Sequence, residues 1–189
     1  PTQRGTRHVY PPPTGRHGVL LEAQDPFKSN ETLKLGRDFL FGALNGYDKK
    51  DLGSMGMPTY FHKNVKWYGP GGIGACLSLK EFQEYHQKPW LQAFPDRKVQ
   101  NLDALFAEGN FLAAKGVTAV KASHSGPYQG VPASGKTIYF SGLDFWLRMD
   151  DKFTENWVFV DMIDLFLQMD HDLFENMRIK AREMYGVNK

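Results

Sequence analysis

Residues 67–74 read WYGPGGIG, and the interpretation of this stretch decides the fold class. Gly69, Gly71 and Gly74 match the spacing G-x-G-x-x-G, and a strand-like run precedes them. In a dinucleotide-binding fold, such a loop leads straight into a helix whose first N–H groups bind the pyrophosphate, and the sheet is parallel. The stretch therefore indicates either a redox enzyme of that fold or a turn in a different fold.

The segments that follow the loop do not come in the order that a dinucleotide-binding fold requires. Ser78 and Glu81 form a capping-box pattern, so the next helix is predicted from 79 to 92, and an earlier amphipathic helix covers 31–46. Strand-like runs then occur in two pairs, 98–107 with 111–122 and 137–149 with 153–161, before a long final helix over 161–185. This order predicts an α+β fold with an antiparallel sheet, in which the glycine loop is a turn.

The length, composition and charge of the chain fit one main domain and argue against several classes of partner. The chain has 189 residues, of which 41% are apolar, and a net charge of only +2 with both signs mixed along the sequence. Nucleic-acid-binding proteins show a basic stripe, and a membrane helix needs roughly 20 apolar residues in a row. Neither pattern is found, and the single Cys76 fits a reducing compartment. We expect a cytoplasmic protein that binds neither nucleic acid nor membrane.

The start of the chain differs in composition from the rest. Proline and glycine are frequent there, and three consecutive prolines at 11–13 favour a polyproline conformation over helix or strand. We therefore divide the chain into an extended arm over 1–29 and a single domain over 30–189. The arm is expected to lie across the domain or across a partner.

Four segments follow one another in a recognisable order. They are WYGPGGIG (67–74), FQEYHQKPWLQAFPDRK (82–98), AEGNFLAAKGVTAVKASHSGPYQGVPASGK (107–136) and ENWVFVDMIDLFLQM (155–169). Together they resemble the SnoaL-like polyketide cyclase (ester cyclase) family over about residues 32–170. The resemblance implies the fold of nuclear transport factor 2, in which helices wrap a curved antiparallel sheet into a cone with an apolar pocket. It also implies that the glycine loop lies near the rim of that pocket.

The resemblance further implies proton chemistry without a cofactor, such as aldol ring closure or isomerisation. A carboxylate in an apolar pocket has its pKa raised towards neutrality, so it can remove a proton from carbon and return it. A nearby donor then stabilises the oxygen of the enolate. No set of side chains has convincing spacing for a metal ion, so neither a cofactor nor a metal is expected.

The residues that the family uses for this chemistry are only partly present. Active members read His-Trp-Asp where this chain reads NWV at 156–158, so Val158 stands at the position of the acid/base aspartate. His124 matches a family histidine, and Asp161 matches an acid at a strand–helix junction. Trp146 stands where a polar pocket residue is expected. The resemblance therefore supports the fold more directly than the cyclase mechanism.

Asp144 is the candidate replacement acid. Alternation along the strand 137–149 puts Asp144 and Trp146 on one face. An odd-numbered turn at 150–152 would put Asn156 on that face too, whereas a two-residue turn would put it on the other. We favour the odd-numbered turn because it gathers an apolar set on the opposite face, namely Leu143, Phe145, Leu147, Trp157 and Phe159. Pairing of Asp144 with Arg148 remains the alternative to catalysis.

The candidate site combines three catalytic and six substrate-binding positions. The catalytic candidates are Asp144, His124 and Asp161, although an N-cap role for Asp161 and a structural role for His124 remain open. The substrate-binding candidates are aromatic or polar residues near the expected pocket, namely Trp67, Tyr68, Trp146, Asn156, Tyr60 and His62.

Two functions fit these residues. The first is a cofactor-independent lyase or isomerase, with aldol-cyclase-like acid/base chemistry on a small apolar carbonyl compound. The alternative is a non-catalytic module of the same fold that binds a small apolar ligand or only dimerises. In either case the apolar sheet face is too large to remain in water, which predicts a homodimer packed sheet to sheet with the arm extending over its neighbour.

Overall fold

The computed structural model describes residues 20, 22–48, 51 and 53–186. Most of the proposed arm, including the triple proline, lies outside the described residues. Within the described part of the chain, no helix is long and apolar enough to cross a membrane. Cys76 is buried and does not form a disulfide among the described residues, and the cytoplasmic location expected from it stays a prediction.

The first helix begins earlier than the sequence pattern predicts. Helix α1 (Pro26–Arg37) continues without a break into a π-helical segment (Asp38–Ala43). The side chain of Asp25 accepts a hydrogen bond from the N–H of Phe27 at 2.9 Å, and proline suits the first helical position. These two start signals place the beginning of the helix inside the segment that the sequence assigns to the arm.

The glycine loop is a turn, as predicted. Strands β1 (Phe61–Tyr68) and β2 (Ala75–Cys76) pair antiparallel, and the N–H of Gly69 donates to the carbonyl oxygen of Gly74 at 3.0 Å. Gly74 has a φ of 86°, and a Cβ atom at Gly69 would come within 2.2 Å of the Trp67 ring. These glycines close a tight hairpin over an indole, and no helix starts within the loop.

The capping box is confirmed, and the helix it starts has a wide turn in its middle. The hydroxyl of Ser78 accepts from the N–H of Glu81 at 3.2 Å, and the carboxylate of Glu81 accepts from the N–H of Leu77 at 2.9 Å. The helix comprises α3 (Leu79–Phe82), a π-helical segment (Gln83–Gln87) and α4 (Lys88–Ala93). A short helix, α2 (Met57–Tyr60), precedes β1.

One curved, mostly antiparallel sheet forms the centre of the α+β fold, as predicted. The remaining strands are β3 (Lys98–Val99), β4 (Ala104–Glu108), β5 (Phe111–Ser123), β6 (Thr137–Met149) and β7 (Lys152–Val160). The sheet order is β2-β1-β7-β6-β5-β3, and β4 also pairs with β5. The run predicted as one strand over 98–107 is thus two short strands, and the β1–β7 pairing is parallel.

The register between β6 and β7 puts Asp144 on the predicted face of the sheet, but the odd-numbered turn expected from the sequence is not the reason. The turn has two residues, with Met149 opposite Lys152, so the odd-numbered turn is wrong. The register then shifts by one residue, because Leu147 pairs with Glu155 while Arg148 pairs with Phe153. Thr154 is the extra residue of this bulge, which offsets the shorter turn. Trp146 therefore lies opposite Asn156, and Asp144 lies opposite Val158.

The end of the chain forms two helices, α5 (Met162–Gln168) and α6 (Leu173–Tyr185), so the prediction of one long helix is wrong. The break includes Asp170 with a φ of 62°, and Asp172 then caps α6 by accepting from the N–H of Glu175 at 3.0 Å. No residue of α6 is buried.

The helices α1 and α3–α4 pack over one face of the sheet and form the core with it. One buried cluster includes Phe39 from the first π-helical segment, Phe61 and Trp146, and a second includes Phe94 and Phe140. On the opposite face of the sheet, Phe145 and Phe159 are 37% and 56% exposed, but Leu147 is only 3% exposed. Leu147 is therefore buried within the chain and does not extend the exposed apolar face.

Candidate functional site

An apolar cavity of about 150 Å³ lies between the helices and the sheet. Both π-helical segments contribute to its wall, the first through Phe39 and Leu40 and the second through His86 and Gln87. A dry cavity of roughly this volume can hold a benzene-sized molecule. The wide turns thus face the space in which a ligand would bind, a position where π-helical segments are frequently found.

Asp144 lies on the sheet side of this cavity without a polar partner. Its cross-strand neighbours are Ala114 and Val158, and Gly142 and Trp146 flank it along β6. Among the described residues, none forms a hydrogen bond or ion pair with its carboxyl group. Since burial disfavours the charged form, the pKa of Asp144 is raised to about 7. The carboxyl group can therefore gain and lose a proton near neutral pH.

Arg148 does not neutralise Asp144, so the alternative pairing considered from the sequence is wrong. Its Nε donates to Thr32 Oγ1 at 2.9 Å, its Nη1 to the carbonyl oxygen of Asp150 at 2.7 Å, and its Nη2 to Glu31 Oε2 at 3.2 Å. These acceptors lie at the end of the strand and on α1. The guanidinium group is thereby held away from the cavity.

Three of the predicted ligand-binding residues line the cavity together with Asp144. Trp67 comes from β1, Trp146 from β6 and Asn156 from β7. Asn156 is buried, and its side-chain amide donates to the carbonyl oxygen of Phe145 at 3.0 Å. This hydrogen bond fixes the amide against β6, next to the aspartate.

His86 is a cavity residue that the sequence reasoning missed. Its ring stacks on Trp67 at 4.2 Å between centroids, with the planes 20° apart, and on Trp90 at 5.9 Å and 18°. Burial lowers the pKa of His86 to about 3, so the ring is neutral at physiological pH and carries one N–H donor and one acceptor. Among the described residues, neither ring nitrogen has a hydrogen-bond partner. The signal in the sequence is the i, i+4 spacing of Phe82, His86 and Trp90.

Three other predicted ligand-binding residues, Tyr68, Tyr60 and His62, do not line the cavity. Tyr68 follows Trp67 on the strand and so points to the opposite face, where it stacks on Trp157 at 6.0 Å. Tyr60 packs against Phe39 at 5.6 Å outside the cavity wall. His62 is exposed, and its Nδ1 accepts from the N–H of Asn64 at 3.2 Å.

Two of the three predicted catalytic positions also lie outside the cavity wall. His124 is fully buried between the Phe94 ring, at 5.4 Å, and Ser134, whose hydroxyl lies 3.0 Å from its Nδ1. Burial lowers the pKa of His124. Asp161 is exposed and caps α5 by accepting from the N–H of Asp164 at 3.0 Å. Both residues thus have the structural roles that the sequence left open, and only Asp144 remains as a catalytic candidate.

In the part of the chain that the structure describes, no three His, Cys, Asp or Glu side chains form a cluster able to hold a metal ion. The polar groups at the cavity are instead a carboxyl group, an imidazole and side-chain amides. This set can transfer a proton and donate a hydrogen bond to a bound molecule.

Comparison with known proteins gives one family match and many structural matches. The family profile of the SnoaL-like polyketide cyclases matches residues 45–169, which is more than half of the chain. No curated protein matches the sequence.

Three solved structures illustrate the structural similarity. A SnoaL-like protein from Jannaschia sp. CCS1 is 13% identical with a TM-score of 0.64, over 78% of this chain and 96% of that one. IdmH from Streptomyces antibioticus is 18% identical with a TM-score of 0.57, over 75% and 97%. An NTF2-like protein from Burkholderia thailandensis E264 is 16% identical with a TM-score of 0.55, over 73% and 96%. At these identities the similarity shows the fold alone.

Proposed function

The chain belongs to the SnoaL-like polyketide cyclase family, and from this premise we propose that it is a cofactor-independent lyase or isomerase acting on a small, mostly apolar carbonyl compound. The observation that carries the proposal is Asp144, an unpartnered carboxyl group at an apolar cavity with a pKa of about 7. A base poised near the working pH combines a useful ionised fraction with sufficient basicity.

The proposed reaction begins with removal of a proton from the carbon next to the substrate carbonyl. The Asp144 carboxylate accepts this proton, the electron pair of the C–H bond forms a C=C bond to the carbonyl carbon, and the π electrons of the C=O bond move to the oxygen to give an enolate. In an isomerisation, Asp144 returns the proton to a different carbon. In an aldol cyclisation, the enolate carbon bonds to a second carbonyl carbon of the same molecule, and the new alkoxide takes the proton. Neither route requires an oxidant or a reductant.

His86 is the proposed donor to the enolate oxygen. Because its ring is neutral, its N–H can donate to the oxygen while the two indoles on which it stacks fix its plane. A neutral imidazole is a suitable hydrogen-bond donor to an enolate oxygen. Its N–H group, held in a fixed position, stabilises the developing oxyanion better than a water molecule does. Asp144 and His86 would then act on the carbon and the oxygen of the same carbonyl group.

The test is proton exchange in 2-indanone, a small neutral ketone, dissolved in D₂O and followed by ¹H NMR. The wild-type protein is expected to accelerate exchange of the protons next to the carbonyl. Asp144→Asn keeps the shape of the side chain and removes the base, so it should reduce the exchange rate by about a hundredfold or more.

The matched control is Asp161→Asn, which changes an exposed carboxylate to a residue that caps helices equally well. This control variant should exchange protons at the wild-type rate. An Asp144→Asn variant that retained the full rate would contradict the catalytic role of Asp144.

The alternative function, a ligand-binding module, is favoured by one specific observation. Val158 and Asn156 both line the cavity, and by the family resemblance they stand where active members have an aspartate and a histidine. Under this alternative, 2-indanone quenches the emission of the cavity tryptophans with equal affinity in wild type and Asp144→Asn, but wild type does not accelerate exchange.

We also propose that the exposed apolar face of the sheet forms a homodimer interface. Phe145 and Phe159 pack edge to face at 6.4 Å on this face and remain largely accessible. Sedimentation equilibrium at micromolar concentration should give a dimer for the wild type, and Phe159→Asp should shift it to a monomer because the charge would be buried unpaired. A wild-type monomer would contradict the proposal.

A further inference from the structure

Arg97 is a buried cation with too few acceptors. It lies between α4 and β3 and is 3% exposed. Its Nη2 donates to the carbonyl oxygen of Leu44 at 3.1 Å and contacts the thioether sulfur of Met55. The buried Nε and Nη1 have no hydrogen-bond partner among the residues that the structure describes. A guanidinium group has five N–H donors, so the described residues use only a small part of its hydrogen-bonding capacity.

The charge of Arg97 also has no counterion. The guanidinium group lies over two aromatic rings, 4.6 Å from the centroid of Tyr47 and 4.9 Å from that of Trp90. No carboxylate contributes to the electrostatics of Arg97, and burial lowers its pKa to about 10, which leaves it charged at neutral pH. The residues that the structure leaves undescribed include no Asp or Glu. An unpaired buried charge is costly, and the faces of aromatic rings compensate for it only in part.

Arg97 lies directly behind the wall of the cavity. Three of the residues that it contacts, Leu44, Met55 and Trp90, are themselves cavity-lining residues, whereas Tyr47 is not. A thioether is a weak hydrogen-bond acceptor on a flexible side chain, so a stronger acceptor can displace Met55 from the guanidinium group. Met55 thus contacts the guanidinium group and lines the ligand space, so movement of this adaptable side chain would bring the two closer.

We propose that Arg97 binds an anionic group of the ligand, and that the substrate is an apolar ketone that also carries a carboxylate. This inference rests on the proposed function, since it assigns a substrate class to the same cavity. A carboxylate supplies both the counterion and the strong acceptors that the guanidinium group lacks, through charge-assisted hydrogen bonds. The contrasting role would be purely structural, with Arg97 holding the segment around Leu44 and Met55 against α4.

The experiment compares benzoate with benzamide, two probes of nearly the same shape that differ in charge. Binding is measured by quenching of tryptophan emission at pH 7, with the wild type, Arg97→Met and Arg97→Lys. Wild type should bind benzoate at least about tenfold more tightly than benzamide. Arg97→Met should remove this preference without weakening benzamide binding, and Arg97→Lys should retain part of it.

Arg148→Met is the matched control, because Arg148 is also buried but its donors are occupied within the chain. Its preference for benzoate should equal that of the wild type. Equal affinities of wild type for both probes would overturn the inference, even if Arg97→Met failed to fold. A preference that persisted in folded Arg97→Met would overturn it as well.

The inference and the proposed function fail in different ways. Exchange of the neutral 2-indanone depends on Asp144 and does not require an anion site. If 2-indanone exchange depends on Asp144 while benzoate and benzamide bind equally, only the inference is wrong. If neither benzoate nor benzamide binds, the inference is wrong, and the proposed function fails as well only if wild type does not accelerate exchange of 2-indanone.

Discussion

Two groups of buried and half-buried polar residues, one around Arg148 and one at the cavity, differ in how they are paired. Around Arg148, every donor group of the guanidinium finds an oxygen acceptor, on Thr32, Glu31 or Asp150. Around the cavity, Asp144 has no polar partner among the described residues, and Arg97 keeps two of its nitrogens unpaired. Both groups are held in place by well-packed apolar neighbours.

The difference shows which polar groups serve the fold and which are available to a ligand. A buried polar group that is fully paired stabilises one arrangement of the chain, whereas an unpaired one costs free energy unless something else binds to it. Around Arg148, the hydrogen-bonding groups are paired with one another within the chain. At the cavity it keeps a carboxyl group, a neutral imidazole and a cation in positions from which a bound ketone acid could satisfy all three.

The largest effect on stability is expected at the paired group. Arg148→Met should lower the free energy of unfolding by about 3 kcal/mol, because it removes three hydrogen bonds and leaves their acceptors unpaired. Arg97→Met should cost clearly less, since it also removes an unpaired buried charge. Urea unfolding of both variants measures the contrast.

The control for this pair is Lys34→Met, which breaks an exposed ion pair with Asp38 and should leave the free energy of unfolding almost unchanged. If Arg97→Met were as destabilising as Arg148→Met, the comparison between the two groups would not hold.

Asp144→Asn is expected to change the free energy of unfolding by an intermediate amount, and to raise it rather than lower it. Its pKa is about 7 in the folded protein and 3.8 as the ordinary value, so the unfolded chain loses its proton first as the pH rises. Stability therefore falls between about pH 4 and pH 7 in the wild type. Asp144→Asn avoids this loss and should be more stable at pH 8 by about 2 kcal/mol, less than the full pKa difference because a buried amide also has a cost.

Urea unfolding at pH 4 and at pH 8 measures this effect, and at pH 4 the variant should lose its advantage and be somewhat less stable than the wild type, because only the cost of the buried amide remains. A variant that was less stable than the wild type at pH 8 would show that the carboxylate is paired in the folded protein.

The smallest effect on stability is expected at His86. His86→Phe keeps an aromatic ring between the indoles, so the free energy of unfolding should change by less than about 1 kcal/mol. Exchange of 2-indanone should nevertheless slow by about a hundredfold, because the donor to the enolate oxygen is lost. His62→Phe, a substitution of an exposed histidine, should change neither quantity. Unchanged exchange in His86→Phe would remove His86 from the mechanism.

Local sequence patterns were enough to predict the fold but not every detail of it. The capping box at Ser78 and the alternation on the long strands gave the α+β order, and the helix break before Asp172 was missed because it depends on a single left-handed residue, Asp170. The face of Asp144 was predicted correctly only because a two-residue turn and a bulge at Thr154 offset one another. A bulge of this kind depends on packing around the strand and leaves no clear signature in the sequence.

The site was harder to predict because it depends on contacts between distant segments. His124 was suggested by the family resemblance, but it lies just past the end of its strand, beyond the cavity. Its Nδ1 accepts a hydrogen bond from the N–H of Ser134. His86 was missed because an isolated i, i+4 aromatic stripe on a helix is compatible with an ordinary core. Trp67 and Tyr68 could not both face the pocket, since adjacent strand residues point in opposite directions. Arg97 can be recognised as a candidate anion-binding residue only once the structure shows that no acidic side chain lies near it.

The most direct test of the account is the ionisation of Asp144 itself. The protein can be labelled with ¹³C at the aspartate side-chain carboxyl carbon and titrated by NMR, with the Asp144 signal assigned by its loss in Asp144→Asn. The account predicts a titration midpoint near pH 7, caused by burial at the apolar cavity without a polar partner. A midpoint near the ordinary value of 3.8 would show that the carboxylate is solvated or paired, and would contradict its assignment as the base.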